Sequence, residues 1–252
     1  MKKLLYLFTA SLLVMTSCSS DDDSNSVDPV TSALVKKTVS TGMDGDRTSL
    51  ITYNGNKIVS IVINNVYKTN FTYTGDVITK VESLDEKNVV DYVAEYTYAN
   101  GKVVSFTEKE AGEPYTSKTN YTYNSDGTVS FSEISINATT GAVEDDGTGK
   151  YTFKDGNLIK MVNSYVNGSE SSVTTYEYDT KKNPYNNILG YNLLLDNEES
   201  GSINNSVKRT SVSVSGTYVY ATTFLYDGNN FPTEEKSFDS TGKLENTIQY
   251  FY

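Results

Sequence analysis

A chain of 252 residues with 32 acidic and 21 basic side chains carries a formal charge of −11, which repels phosphate backbones and excludes nucleic acid as a partner. It holds no His and a single Cys, so no Ser-His-Asp or Cys-His catalytic set and no histidine-bound metal can be assembled, and no cofactor is expected. Tyrosine occurs 21 times against no Trp, and with frequent Val, Ile and Thr this is the chemistry of pleated, half-buried strands.

From the start of the chain, Lys2 and Lys3 precede an apolar stretch over residues 4–15, and Thr16 and Ser17 form a small-residue pair before Cys18. That order is a secretory signal, and the apolar run falls short of the ~20 residues a transmembrane helix needs. Residues 1–17 therefore read as a leader, cleaved before Cys18. Met15-Thr16-Ser17-Cys18 resembles a bacterial lipobox, with Met15 where Leu is usual, and the resemblance implies lipidation of Cys18. A lone Cys in an exported chain can make no internal disulfide, and acyl chains at about 0.8 kcal/mol per buried methylene hold a protein on a bilayer. Ser19, Ser20, Asp21, Asp22 and Asp23 resemble the acidic export tract of surface lipoproteins of Bacteroidota-type bacteria, which implies a cell-surface place on the outer membrane. Residues 18–30 are too polar and acidic to fold and read as a flexible tether. Loss of Lys2 and Lys3 with the leader takes the charge from −11 to −13.

Residues 31–252 read as one repeat-built β domain. The unit is an aromatic-x-aromatic pair, a Gly turn and an apolar strand, as in Ile51-Thr52-Tyr53-Asn54-Gly55-Asn56-Lys57-Ile58-Val59. It recurs at Phe71-Thr72-Tyr73, Tyr96-Thr97-Tyr98, Tyr121-Thr122-Tyr123, Tyr151-Thr152-Phe153, Tyr176-Glu177-Tyr178, Phe224-Leu225-Tyr226 and Tyr250-Phe251-Tyr252. Asn-Gly and Asp-Gly between alternating strands are the strongest short-range hairpin signal, and consecutive hairpins make an antiparallel meander of about 14 to 16 strands of typical length. Alternation puts both rings of a pair on one face, which predicts a packed aromatic layer with hydroxyls reaching a polar edge.

Asn183-Pro184 interrupts the rhythm, opening an insertion over residues 183–206. Tyr185, Ile188, Leu189, Leu193, Leu194 and Leu195 are too apolar for an exposed loop. Their spacing fits a short helix started near Pro184, and residues 184–195 are expected to plug or cap one end of a wide barrel.

The units resemble the tyrosine-aspartate repeats of bacterial surface proteins. The lipobox with its acidic tract, the Tyr-x-Tyr-Asp/Asn-Gly phrase over residues 50–252 and the Tyr-x-Tyr-Asp-x-Lys-x-Asn-Pro segment from Tyr176 to Pro184 resemble a family of Bacteroidota lipoproteins of unknown function. That resemblance implies a porin-like barrel; the meander alone leaves an open, curled sheet as the alternative.

Function is constrained mainly by exclusion. A carboxylate-pair glycosidase needs only two acids, but Asp126, Asp155 and Asp227 precede Gly in hairpins and read as turn residues. Asp145-Asp146-Gly147 is placed in a longer connection over residues 138–149. Neither it nor Asp44-Gly45-Asp46 has the spacing of a calcium hand, and no metal site is assigned. The expectation is a non-enzymatic binding or adhesion module, held on the membrane through Cys18, with a glycan, peptide or envelope-protein partner. Its recognition surface is sought in unequal loops near residues 84–88, 110–115, 138–149 and 166–171. The alternatives are an accessory subunit of an envelope complex and a membrane-inserted pore; against the pore, strands such as residues 116–123 place Thr and Lys opposite their tyrosines.

Overall fold

Side chains on a strand alternate between its two faces, and in this chain the alternation continues around a full circle. The computed structural model describes residues 34–43, 45–166, 171–195 and 202–252. Within them run β1 (Lys37–Gly42), β2 (Arg47–Asn54), β3 (Lys57–Ile63), β4 (Tyr67–Thr74), β5 (Val77–Leu84), β6 (Val90–Ala99), β7 (Lys102–Glu110) and β8 (Tyr115–Tyr123). They are followed by β9 (Val129–Asn137), β10 (Val143–Lys154), β11 (Asn157–Tyr165), β12 (Ser171–Lys182), β13 (Asn204–Ser213), β14 (Gly216–Tyr226), β15 (Pro232–Phe238) and β16 (Leu244–Phe251). Each strand pairs antiparallel with its sequence neighbours, and β16 returns to β1 over the register Lys37↔Phe251 to Gly42↔Asn246. The meander is thus a closed barrel and not an open sheet, and closure leaves no unpaired edge. Cys18 and the tract Ser19, Ser20, Asp21, Asp22 and Asp23 lie outside the described residues.

One end is built of tight hairpins. Asn100 and Gly101 (φ 51° and 73°), and Asp155 and Gly156 (φ 52° and 78°), are the central pairs of two-residue turns, as the sequence predicts. In the first two hairpins the turn moves one residue along: Asn54 and Thr74 still pair across the ladder, and Gly55 (φ 61°) and Gly75 (φ 59°) open the turn. Between β14 and β15 Asn230 (φ 67°), not Gly228, takes the left-handed position. Asn and Gly both reach that region cheaply, so one strand twist is met by several placements.

Beside the last aromatic of the pair, the register shifts between Thr52 and Tyr53, Thr72 and Tyr73, Thr97 and Tyr98, and Thr152 and Phe153. Each shift is a bulge. It lets residues three apart, Ile58 with Ile61 and Ile78 with Val81, share the interior. The second tyrosine of a pair then places its ring in the core and donates its hydroxyl to a main-chain carbonyl earlier in the chain. Tyr53 reaches Val35 (2.7 Å), Tyr98 reaches Ile78 (2.8 Å) and Tyr123 reaches Val103 (3.0 Å). Tyr178 reaches Leu158 (2.7 Å) and Tyr252 reaches Pro232 (3.0 Å). This belt pairs phenols and carbonyls that burial would otherwise strand.

Residues 184–195 close the same end. Ile188 and Leu194 join the core, with Tyr185, Tyr191 and Leu195 packed against it. The Leu189 N–H donates to the Asn56 carbonyl (2.9 Å), and its carbonyl accepts from the Tyr73 hydroxyl (2.9 Å). The plug is therefore real, but its helical part is one 3₁₀ turn, Tyr191–Leu193, reached through a run of turns. Both Leu189 main-chain groups bond to the barrel rim, and that leaves no α-helical ladder from Pro184.

The opposite end differs from its expected form. The connection expected over residues 138–149 is only residues 138–142: β10 starts at Val143, and Asp145, Asp146 and Gly147 are strand residues around a register shift. Ser135 Oγ on β9 donates to Asp146 (2.6 Å), which anchors this acid to the neighbouring strand. Other connections here are as short as residues 64–66 and 214–215. Asp44 lies outside the described residues.

Candidate functional site in the barrel interior

Barrels of sixteen or more strands leave space that strand side chains do not fill, and here the plug and the aromatic belt occupy one end of it. Farther along, the inward positions turn polar. Tyr92 on β6 donates to Glu108 Oε2 (2.9 Å). Burial pushes the pKa of the Glu133 carboxyl up, and Asp146 and Glu108 add to that shift.

On the opposite wall lies a cavity of about 310 Å³. Its positions are set by register: Tyr176, Arg209 and Tyr220 stand in one row across β12, β13 and β14, and Phe224 and Glu235 in another across β14 and β15. Pro184 and Tyr185 supply its plug side. The Arg209 guanidinium lies 4.5 Å from the Tyr220 ring centroid, a cation–π contact. Glu235 accepts from the Tyr250 hydroxyl (2.5 Å) and from Ser237 Oγ (3.4 Å). Burial outweighs both bonds and raises the carboxyl's pKa.

The belt changes at this wall. The insertion stands where a tight β12–β13 hairpin would be, and Tyr226 donates to the Asp179 carboxylate instead of a carbonyl. Burial, then that bond and charge, hold the phenol protonated above its usual range. Asp179 also accepts from the main-chain N–H of Asn205 (3.2 Å) and from its Nδ2 (3.2 Å to Oδ2). Asn205 is 3% exposed, and its side-chain oxygen has no hydrogen-bond partner, although buried amide oxygens are nearly always paired.

A second cavity of about 320 Å³ lies toward the open end, with Ser40, Arg47 and Asn246 in its walls. It shares Ser237 and Glu245 with the first, so the two are neighbouring parts of one passage. Among the described residues no cluster of three or more His, Cys, Asp or Glu converges on a metal position.

The sequence assigns no ligand-binding residue and points to the loops. Arg209 and Glu235 escape the sequence reading because no aromatic pair sets the inward phase of β13 and a bulge between Leu225 and Tyr226 displaces the phase of β15; Tyr250 belongs to a recognised pair, but its bond to Glu235 joins residues 15 apart that no local pattern links. The one available signal was Arg209 itself, one of two arginines in the chain.

Fold and cavity together define a class: a sixteen-stranded β-barrel, plugged at one end, with a polar and aromatic lumen. The chain is similar to a porin-like protein from Bacteroides vulgatus at a TM-score of 0.62 and 19% identity, covering 87% of this chain and 98% of that one. It is also similar to a porin-like protein from Bacteroides uniformis at a TM-score of 0.52 and 12% identity, covering 86% and 96%. At these identities the likeness establishes the fold, and the porin-like barrel that the family resemblance implies is the architecture of this chain. No family model matches the chain, and no curated protein matches it.

Proposed function

We propose that the chain is a lipid-tethered, non-enzymatic binding module. In this reading Cys18 carries the lipid, the tract Ser19, Ser20, Asp21, Asp22 and Asp23 directs export to the outer face of the outer membrane, and the ligand sits inside the barrel.

The observation that carries the proposal is the blind lumen, closed by Ile188 and Leu194 at one end and holding a cavity of about 310 Å³ beside the plug. Small-molecule sites are concave and mix apolar walls with a few placed polar groups, as Phe224, Arg209 and Glu235 do here. A conducting pore instead needs an outward apolar band ~25 Å tall. The outer wall is unlike such a band, because it carries ion pairs in mid-strand: Lys80–Glu82 (2.7 Å), Lys208–Glu177 (2.7 Å) and Lys236–Glu234 (2.8 Å). Apolar residues such as Val212 and Leu225 are interspersed with them. The described chain begins with Leu34 and Val35 buried at the plugged end, so in this reading the tether joins the barrel at that end and leaves the open end unobstructed.

The test compares the full-length chain with Cys18→Ala, and both with the soluble form from residue 27. The expected result is palmitate labelling and membrane fractionation that Cys18→Ala abolishes, with the soluble form monodisperse without detergent and silent in planar bilayers. Unchanged labelling, or discrete conductance steps, would overturn the proposal.

A further inference from the structure

Resting on the binding-module reading, we infer that the cavity beside the plug receives the terminal ring of a neutral glycan, which enters through the open end. A pyranose ring has two faces of C–H groups and an equator of hydroxyls, each both a donor and an acceptor. The cavity offers partners for both parts. Tyr176 and Phe224 line it with flat aromatic surface, which packs well against apolar faces. Asn205, Arg209 and Glu235 line it with an amide, a guanidinium and a carboxyl group, the planar side chains that can take two neighbouring hydroxyls at once.

Other ligand classes fit less well. An apolar molecule would cover the charged Arg209 and Glu235 and offer them no hydrogen bond, and burying polar groups without compensation is costly. An anion meets Glu235 and Glu245, and a cation meets Arg209. A hydroxyl-rich, uncharged ligand can serve both signs of charge, since each hydroxyl gives and accepts a bond. Asn205, 3% exposed, is held in the cavity wall by its bonds to Asp179.

Shape specifies a chain end. The cavity is about 310 Å³, at the small end of ligand pockets, which span ~300–1,000 Å³. Pro184 and Tyr185 of the plug stand at its inner side. The way out passes Ser237 and Glu245 into the second cavity, where Arg47 and Asn246 stand. A glycan therefore fits with one ring against the plug and the rest of its chain directed to the open end.

The test is an amide NMR titration of the soluble chain from residue 27, which contains the whole barrel. The probes are the methyl glycosides of glucose, galactose, mannose and N-acetylglucosamine, with glucuronate, glucosamine and free amino acids for comparison. At least one neutral glycoside should shift Asn205, Arg209 and Tyr250, and glucuronate should bind at least ~10-fold more weakly, the scale expected when a buried polar partner is mismatched. Glu235→Gln should weaken glycoside binding by a similar factor. Because that variant also alters the Tyr250 contact, Glu245→Gln, near the mouth, is measured beside it and should weaken the longer di- and trisaccharides more than the single ring. Glycoside shifts that lie elsewhere, or that are unchanged in both variants, overturn the inference. Binding of an amino acid in place of every glycoside also overturns it but preserves the binding-module reading. Binding of no probe at all overturns the sugar assignment and removes the support for an interior ligand seat.

Discussion

Tyr53, Tyr73, Tyr98, Tyr123 and Tyr252 do two jobs with one side chain: the ring packs against the core and the hydroxyl pairs a polar main-chain group. Phe153 holds the equivalent place in its repeat with no hydroxyl, which shows that ring packing alone sustains a repeat. Tyr98→Phe should therefore fold normally and lose about 0.5–1.5 kcal/mol, the net worth of one hydrogen bond, as read by urea denaturation. The belt also sets an alkaline limit. Burial pushes the Tyr73 phenol up to about 12, and Tyr53 and Tyr252 are raised by burial as well. Between the ordinary phenol value of ~10 and these raised values the unfolded chain has released protons that the folded chain still holds. Stability is therefore fully present below pH ~10 and is lost as pH rises through ~10 to 12. Melting temperatures measured at intervals from pH 8 to 12 should be flat and then fall, and a steady melting temperature through pH 12 would refute the buried-phenol account.

At the scale of elements, the plug depends on one position where the chain touches the barrel rim. Gly190 has φ 73°, and a Cβ there would come 2.8 Å from the Asp76 carbonyl. Gly190→Ala thus meets both a disfavoured backbone region and a main-chain clash, and should cost more than the ~1 kcal/mol expected where only the backbone region is wrong. Ile188→Ala, which truncates a buried plug side chain without touching the backbone, should cost ~2–5 kcal/mol. If hydrophobic-dye binding rises and stability falls in both variants, the plug is part of the folded core. Wild-type stability in Ile188→Ala would mean that it is an accessory. The apolar residues of 185–195 announced burial in the sequence, but the form of the segment did not follow from them. Their spacing suits a helix, and hydrogen bonds from Leu189 to Asn56 and Tyr73 outcompete it, although those partners lie more than 100 residues away.

At the scale of the whole molecule, closure brings the two ends of the described chain together. The Lys36 N–H donates to the Phe251 carbonyl (2.7 Å), and β1 pairs with β16 along its length. Such termini permit circular permutation. A permutant joined from Tyr252 to Leu34 by a short linker and opened at Gly242, in the exposed β15–β16 connection, keeps every strand pair. Its melting temperature should stay within ~4 °C of the parent, about the shift from 1 kcal/mol in a domain of this size. Aggregation or loss of cooperative melting would show that closure at this seam is not what holds the barrel.

The sequence by itself determined the local grammar: the aromatic pairs, the Gly and Asn turns, strand polarity with Lys118 outward and Tyr121 inward, and the apolar character of residues 185–195. These follow from alternation and turn chemistry, which act over a few residues. Only the tertiary structure decided that β16 meets β1, that bulges bring Ile58 and Ile61 to one face, and that Arg209, Glu235 and Tyr250 converge beside the plug. Those outcomes depend on register, and a shift of one residue reverses which side chains face the lumen. Register is set by pairing across the whole circle of strands, which no local window of sequence contains.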